Sequence, residues 1–323
     1  MPYFESRPAD SFQFRYILYE KKDWVARVTI NRPEVYNCYN TPCLEELTAA
    51  FRDAARDDAV AVLVLTGAGE QAFSTGGDVR EYAEVYTRTP RDYWKYMTIF
   101  QECLDVLRNC GKPTIARLNG MVVGGGNELN LACDLGVAAE HAYFRQVGPR
   151  VGSVPAGGAT QWLPIVIGDR RAREMLFLTE EIPARRALEW GLVNQVVPYA
   201  QLDEAVDSYA RKLVQKFPEC LRYTKQQTNF WKDLAWHLTI GHARDWLTLH
   251  FTSAEVHEGM KAFVEKRQPD YVGLRQRAAS GGSSEYVWGP YTRTCPGCGT
   301  KNLPAEFTYC GRCGAKLDGG GQP

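Results

Sequence analysis

The chain has 323 residues, 45% of them hydrophobic, enough to bury one large core or two moderate ones. Its 38 lysine and arginine residues equal its 38 aspartate and glutamate residues, which leaves no net field to draw it to nucleic acid or to an anionic membrane. No apolar run approaches the ~20 residues that span a bilayer, and the polar opening 1–6 has neither the basic nor the apolar part of a secretory leader, so a cytoplasmic location is expected.

Strand-length apolar runs alternate with helical stretches along the first half. A strand is predicted over Val25–Ile30, then a helix over Thr41–Arg56 with Thr41 as N-cap and Pro42 at the first helical position. A strand at 61–66, a helix at 93–110 ended by Gly111 and Pro113, and a strand over Thr114–Leu118 follow. That order argues an α/β core.

Two small-residue loops interrupt it, Phe73-Ser74-Thr75-Gly76-Gly77-Asp78 and Gly124-Gly125-Gly126-Asn127-Glu128. Each follows a strand-like run and opens a helix, so each can present bare N–H groups where the helix dipole is positive. A single such loop serves equally as a tight turn or a phosphate cradle. Two side by side make an oxyanion hole, with each donor contributing roughly 3 kcal/mol in a transition state. Asp78 reads as a helix N-cap or first-turn acid. Tyr82 and Tyr86, spaced i, i+4, share a helix face, where a phenol either reaches substrate or packs under a lid. Glu81 and Glu84 are expected to be solvated.

From about residue 201 the pattern is helical only, and Trp231, Trp236, Trp246 and Phe251 serve either as core or as a subunit interface. Six of the ten cysteines, Cys38, Cys43, Cys103, Cys110, Cys133 and Cys220, are scattered and suit reduced thiols. After Tyr271 comes the linker-like Ala278-Ala279-Ser280-Gly281-Gly282-Ser283-Ser284. Beyond it, Cys295-Pro296-Gly297-Cys298 and Cys310-Gly311-Arg312-Cys313 form two CxxC knuckles, each followed by glycine, Gly299 or Gly314. Four thiolates so spaced can close a tetrahedral Zn²⁺ site with no open position, a structural ribbon rather than a redox dithiol.

The ordered set Val25 to Pro33, Val60 to Gly67, the two glycine loops, Gln161-Trp162-Leu163, Glu189-Trp190-Gly191-Leu192-Val193-Asn194 and Glu258 to Arg267 resembles the crotonase (enoyl-CoA hydratase/isomerase) superfamily over about residues 15–275. The resemblance implies a spiral of ββα repeats in an acyl-CoA core at 15–200 and a helical oligomerisation segment at 201–275; composition and cysteine spacing add a flexible linker at 276–292 and the zinc ribbon at 293–317. It implies a homotrimer or homohexamer acting on an acyl-CoA thioester, with coenzyme A as part of the substrate and no catalytic cofactor; the balanced charge and short apolar runs leave neither nucleic acid nor membrane as an expected partner. Gly77 and Gly125 match the two amide donors to the thioester oxygen, which acidify the α-carbon and hold its enolate. Glu128 matches one of the two carboxylates that position water in hydratases. Val35, Tyr36 and Cys38, with Thr75, Gly77 and Asp78, match the segment along the coenzyme. Phe263 and Lys266 match a C-terminal helix over its nucleotide, although an exposed lysine there is as often only solubilising. None of the five histidines, His141, His237, His242, His250 and His257, falls on a catalytic position.

The second hydratase carboxylate is missing, because Gly148 stands in its place, and the glycine is expected to widen the pocket. The run Gln146-Val147-Gly148-Pro149-Arg150-Val151-Gly152-Ser153 resembles ring-forming and ring-opening members, but Pro155 stands where the naphthoyl-forming branch has aspartate. The continuation to Thr160 and the stretch from Thr75 to Tyr86 resemble the ring-opening branch, the 6-oxocyclohex-1-ene-1-carbonyl-CoA hydrolases. Three functions follow from this reading: hydration and hydrolytic opening of an alicyclic oxo-enoyl-CoA; hydration of a linear or cyclic dienoyl-CoA by Glu128 alone; or non-catalytic binding of acyl-CoA or a partner through the ribbon. Glu81, Glu84, Tyr82 or Tyr86 would supply any further proton chemistry.

Overall fold

In the computed structural model, residues 7–86, 89–284, 293–301, 303–304 and 307–317 are described. The main sheet has six strands in the order β1-β2-β3-β5-β7-β10, and the second has four in the order β4-β6-β8-β9. In the main sheet β1 (Ile17–Lys22) and β2 (Val25–Ile30) form an antiparallel hairpin, and β3 (Val62–Gly67), β5 (Thr114–Leu118), β7 (Leu135–Ala139) and β10 (Gln195–Val197) continue it in parallel. The smaller sheet holds β4 (Ala72–Ser74), β6 (Met121–Val123), β8 (Tyr143–Arg145) and β9 (Ile182–Pro183).

Every residue of β3 and β5 is buried, which is why these segments read as unbroken apolar runs: a parallel strand covered on both faces has no solvent side. Leu63 and Leu65 point into the large core, whereas Val62 and Val64 point the other way against Leu202, Val206 and Ala210 of a covering helix. Each main-sheet strand β3, β5 and β7 is followed directly by a short strand of the second sheet and then by helix. This is the ββα repeat.

The helices are α1 (Thr41–Arg56), α2 (Val79–Glu81), α3 (Pro90–Arg108), α4 (Gly125–Ala132), α5 (Ala159–Ile167), α6 (Asp169–Leu178), α7 (Ala184–Trp190) and α8 (Leu202–Val214), then α9 (Pro218–Thr228), α10 (Phe230–His250), α11 (Ala254–Val264) and α12 (Tyr271–Ala279). Helix α1 has the predicted bounds, but its cap is Asn40, whose side chain accepts from the Cys43 N–H, and Thr41 is already helical. Tyr82–Tyr86 forms a π-helical turn. Helix α12 runs through Ala279, so the start of the stretch expected as linker is helical, and the rest beyond Ser284 lies outside the described residues.

The aromatic residues of the helical segment divide between both expected roles. Trp236 stacks on Trp162 at 4.8 Å inside the core and Phe251 is buried, while Trp231 is 64% exposed and Trp246 is also open. Among the described residues no helix is long and apolar enough to cross a membrane.

Candidate active site

Strands β4, β6 and β8 run parallel and side by side. Their C-terminal ends therefore deliver three loops to one rim: the first glycine loop, the second, and the segment from Gln146 to Pro155. The loops abut so closely that a Cβ on Gly76 would lie 2.7 Å from the Gly125 nitrogen. One cavity of about 100 Å³ is lined by Thr75, Gly77, Tyr82, Gly124, Gly125 and Glu128, together with Gln146, Gly148, Ser153 and Pro155.

The amides of Gly77 and Gly125 donate to no acceptor among the described residues, whereas their neighbours are engaged: Gly76 N–H donates to Ser74 Oγ, and Gly124 N–H to the Arg145 carbonyl. The first loop is pinned from the side by a parallel bridge, in which Tyr39 N–H donates to the Gly76 carbonyl at 2.8 Å and Asp78 N–H to the Tyr39 carbonyl at 2.9 Å. The need for glycine is steric. A Cβ on Gly77 would overlap the Tyr82 hydroxyl, and one on Gly125 the Tyr39 hydroxyl.

Glu128 lies in the first turn of α4 and is almost wholly buried. Its Oε1 accepts from Gly157 N–H at 2.7 Å and Ala159 N–H at 3.1 Å, at the start of α5. Burial pushes the carboxyl up to about 7, against the pull of those two hydrogen bonds. A carboxyl so held exchanges a proton near neutrality. It is the one carboxylate among the described residues lining the cavity.

Gly148 does not widen the cavity as expected. A Cβ there would meet Pro155 Cδ at 2.9 Å and the Ser153 carbonyl at 3.0 Å, so the Pro155 ring already fills the space that the absent side chain vacates. Tyr82 lines the cavity with its hydroxyl 2.5 Å from that of Tyr96, whereas Tyr86 is not among the lining residues, and its hydroxyl lies 2.6 Å from Thr41 Oγ1. Glu81 is not solvated. Its carboxylate accepts from the Thr41 N–H at the start of α1, and burial raises its pKa.

Asp78 acts as the N-cap of α2, its Oδ1 accepting from Arg80 N–H, and its Oδ2 pairs with Arg32 at 3.1 Å. Arg32 also donates to the Cys38 carbonyl, and the buried Cys38 thiol is pushed up to about 12, chiefly by burial. Val35 and Tyr36 run beside the first loop, where Thr75 N–H donates to the Tyr36 carbonyl. Phe263 and Lys266 are exposed at the end of α11. None of the histidines lines the cavity.

Sequence reasoning missed Tyr39, Tyr93, Phe100, Met97, Leu247 and Met260, which also line the cavity, and Gly157, which grips Glu128. Only the Gly157-Gly158 pair carried a signal: a Cβ on Gly157 would strike Phe100 and Glu128.

The four ribbon sulfurs lie within 4.8 Å of one another. Cys295 and Cys313 Sγ are 3.5 Å apart and Cys298 and Cys310 Sγ 3.7 Å, against about 3.8 Å between ligands of a tetrahedral zinc with Zn–S near 2.3 Å. The knuckles match: Gly299 N–H donates to the Cys295 carbonyl and Gly314 N–H to that of Cys310, with φ of 70° and 72°.

A family model described as enoyl-CoA hydratase/isomerase matches residues 20–274, and one described as a domain of unknown function matches 292–318. The chain is 32% identical to a 6-oxocyclohex-1-ene-1-carbonyl-CoA hydrolase of Geobacter metallireducens, over 79% of this chain and 81% of that protein. Among solved structures, an enoyl-CoA hydratase of Mycobacterium avium subsp. paratuberculosis superposes with a TM-score of 0.72 at 27% identity, covering 80% of this chain and 98% of that one. A carnitinyl-CoA hydratase of Mycobacterium avium gives 0.71 at 29%, covering 81% and 100%. With that match across most of its length, on a ββα spiral, the chain belongs to the enoyl-CoA hydratase/isomerase family and is an acyl-CoA enzyme of the crotonase type.

Proposed function

We propose that the enzyme hydrates an alicyclic oxo-enoyl-CoA and then opens its ring by hydrolysis, with 6-oxocyclohex-1-ene-1-carbonyl-CoA as the model substrate. The observation that carries this reading is the single buried carboxyl of Glu128, poised near neutrality beside two unengaged amides. The Gly77 and Gly125 N–H groups hold the thioester oxygen, and Glu128 takes a proton from water and returns it to the α-carbon. Both the hydration and the carbon–carbon cleavage place charge on that oxygen, so one hole serves both steps. A two-carboxylate water clamp has no second member here, since the Gly148 position is closed by Pro155. The Geobacter relative supports the choice of substrate class.

Tyr82 is proposed as a further donor, its hydroxyl already coupled to Tyr96. Tyr86 is proposed only as support for the turn over Tyr82–Tyr86, through Thr41. Coenzyme A is proposed to run past Thr75, Asp78, Val35, Tyr36 and Cys38 toward Phe263 and Lys266. The exposed apolar residues of α9 and α10, among them Trp231, Leu238 and Leu249, favour assembly as a trimer or hexamer. Zinc held by Cys295, Cys298, Cys310 and Cys313 would fold the ribbon, whose own core is Leu317 with Leu303, Phe307 and Ala315.

The test is to incubate the protein with crotonyl-CoA and with 6-oxocyclohex-1-ene-1-carbonyl-CoA and to weigh the products. Gain of two waters on the cyclic substrate is the expected result. Gain of one, or turnover of crotonyl-CoA alone, supports instead a hydratase that uses Glu128 by itself.

A further inference from the structure

Tyr39 is 1% exposed and lines the cavity, yet its hydroxyl has no hydrogen-bond partner among the described residues. The hydroxyl is not sealed in the core, since the one fully enclosed unpaired side-chain atom among the described residues is Arg108 Nε; it opens on the cavity, where a ligand oxygen or a water can accept from it. The phenol is held in place: its ring stacks on Phe100 at 5.2 Å and 28°, and its backbone is bonded on both sides to the first glycine loop. Its hydroxyl abuts the Cα of Gly125, where a Cβ would overlap it. Tyr82 stands in the same relation to Gly77, but its hydroxyl is already paired with that of Tyr96. Burial raises the Tyr39 phenol well above its usual range, so it remains a donor at every working pH.

We propose that the Tyr39 hydroxyl is a catalytic residue that donates to the ketone oxygen of a β-keto thioester ring, while the Gly77 and Gly125 amides hold the thioester oxygen. This rests on the substrate class argued above. In such a ring the two carbonyl oxygens lie side by side when syn, and all three donors line the one cavity, with the Tyr39 hydroxyl against Gly125. During ring opening, water attacks the ketone carbon and gives its proton to Glu128, while the C=O pair moves onto the ketone oxygen against the Tyr39 O–H. Collapse re-forms that C=O as a carboxylic acid and breaks the bond to the α-carbon, whose electron pair enters the thioester as an enolate. The α-carbon then takes the proton back from Glu128. One water is consumed, and no oxidant or reductant is needed.

Tyr39→Phe removes only the hydroxyl. It should slow the second water addition at least about thirty-fold more than it slows crotonyl-CoA hydration, so that the one-water hydrate accumulates in the mass spectrum. Equal slowing of both, or slowing of neither, overturns the assignment. If the wild-type chain adds no second water, the ring-opening reading itself fails, and the donor is judged by affinity. Wild type should bind 2-oxocyclohexane-1-carbonyl-CoA about ten-fold tighter than cyclohexane-1-carbonyl-CoA, and Tyr39→Phe should erase the difference. A wild type indifferent to the ketone overturns the donor as well.

Discussion

Burial raises the Glu128 carboxyl to about 7, which makes the base role proposed for it testable by pH. Acting as base in its ionised form, it should give a kcat/KM that falls about ten-fold per pH unit below about 7. Glu128→Gln should cost roughly two to four orders of magnitude and abolish that limb, which stopped-flow hydration across pH 5–9 would read. Stability moves the opposite way. Because the folded-state pKa is raised, the contribution is complete below the unfolded value near 4.5 and is lost as pH rises to about 7. The glutamine variant does not titrate, so its advantage over wild type should grow across that window to about 3 kcal/mol and then level off, as measured by urea unfolding. The placement of Glu128 and both glycines at one cavity was legible in the sequence because short-range features, a glycine loop and a helix start, fix their positions. Tyr39 and Tyr86 were not, since a bridge to Gly77 and a contact to Thr41 made across long stretches of chain decide where each phenol goes.

Among the elements, the turn between β3 and β4 aims the first glycine loop, and Asn119 buttresses it. Its side chain accepts from Gly67 N–H and Thr66 Oγ1 and donates to the carbonyls of Gly69 and Ala72. Asn37 reinforces the same turn, donating to Ala68 and Ala72 and accepting from Arg32 N–H. Asn119→Ala leaves the buried Gly67 N–H without its acceptor and should cost about 1–3 kcal/mol in chemical denaturation, with turnover falling even where the chain stays folded. Helix α1 and strands β2 and β5 could be placed from sequence to the residue, because apolar period and strand length speak locally. The cap of α1 and the π-turn at Tyr82–Tyr86 could not, because each depends on which of several competing hydrogen bonds tertiary packing selects. Pro155 against Gly148 shows the same limit: a missing side chain read as open space is filled by a proline seven positions on.

For the whole molecule, the acyl-CoA core and the ribbon should separate functionally. Metal analysis should find about one zinc per chain, and a chelator should expose 293–317 to protease while acyl-CoA turnover persists, since four thiolates leave the ion no free position. A chain ending at Ser284 should likewise keep its activity; loss of turnover on truncation would give the ribbon a part in the pocket or the assembly. The division of the tryptophans has an optical consequence. Trp162 and Trp236 are buried in the core and should emit at short wavelength whatever the protein concentration, whereas Trp231, on the open face of α10, should report on water. If copies associate through that face, dilution should shift the emission red and raise acrylamide quenching, and the shift should shrink in Trp231→Phe, leaving what Trp246 of the same helix contributes. In that case the chain carries its own concentration gauge, readable without a label.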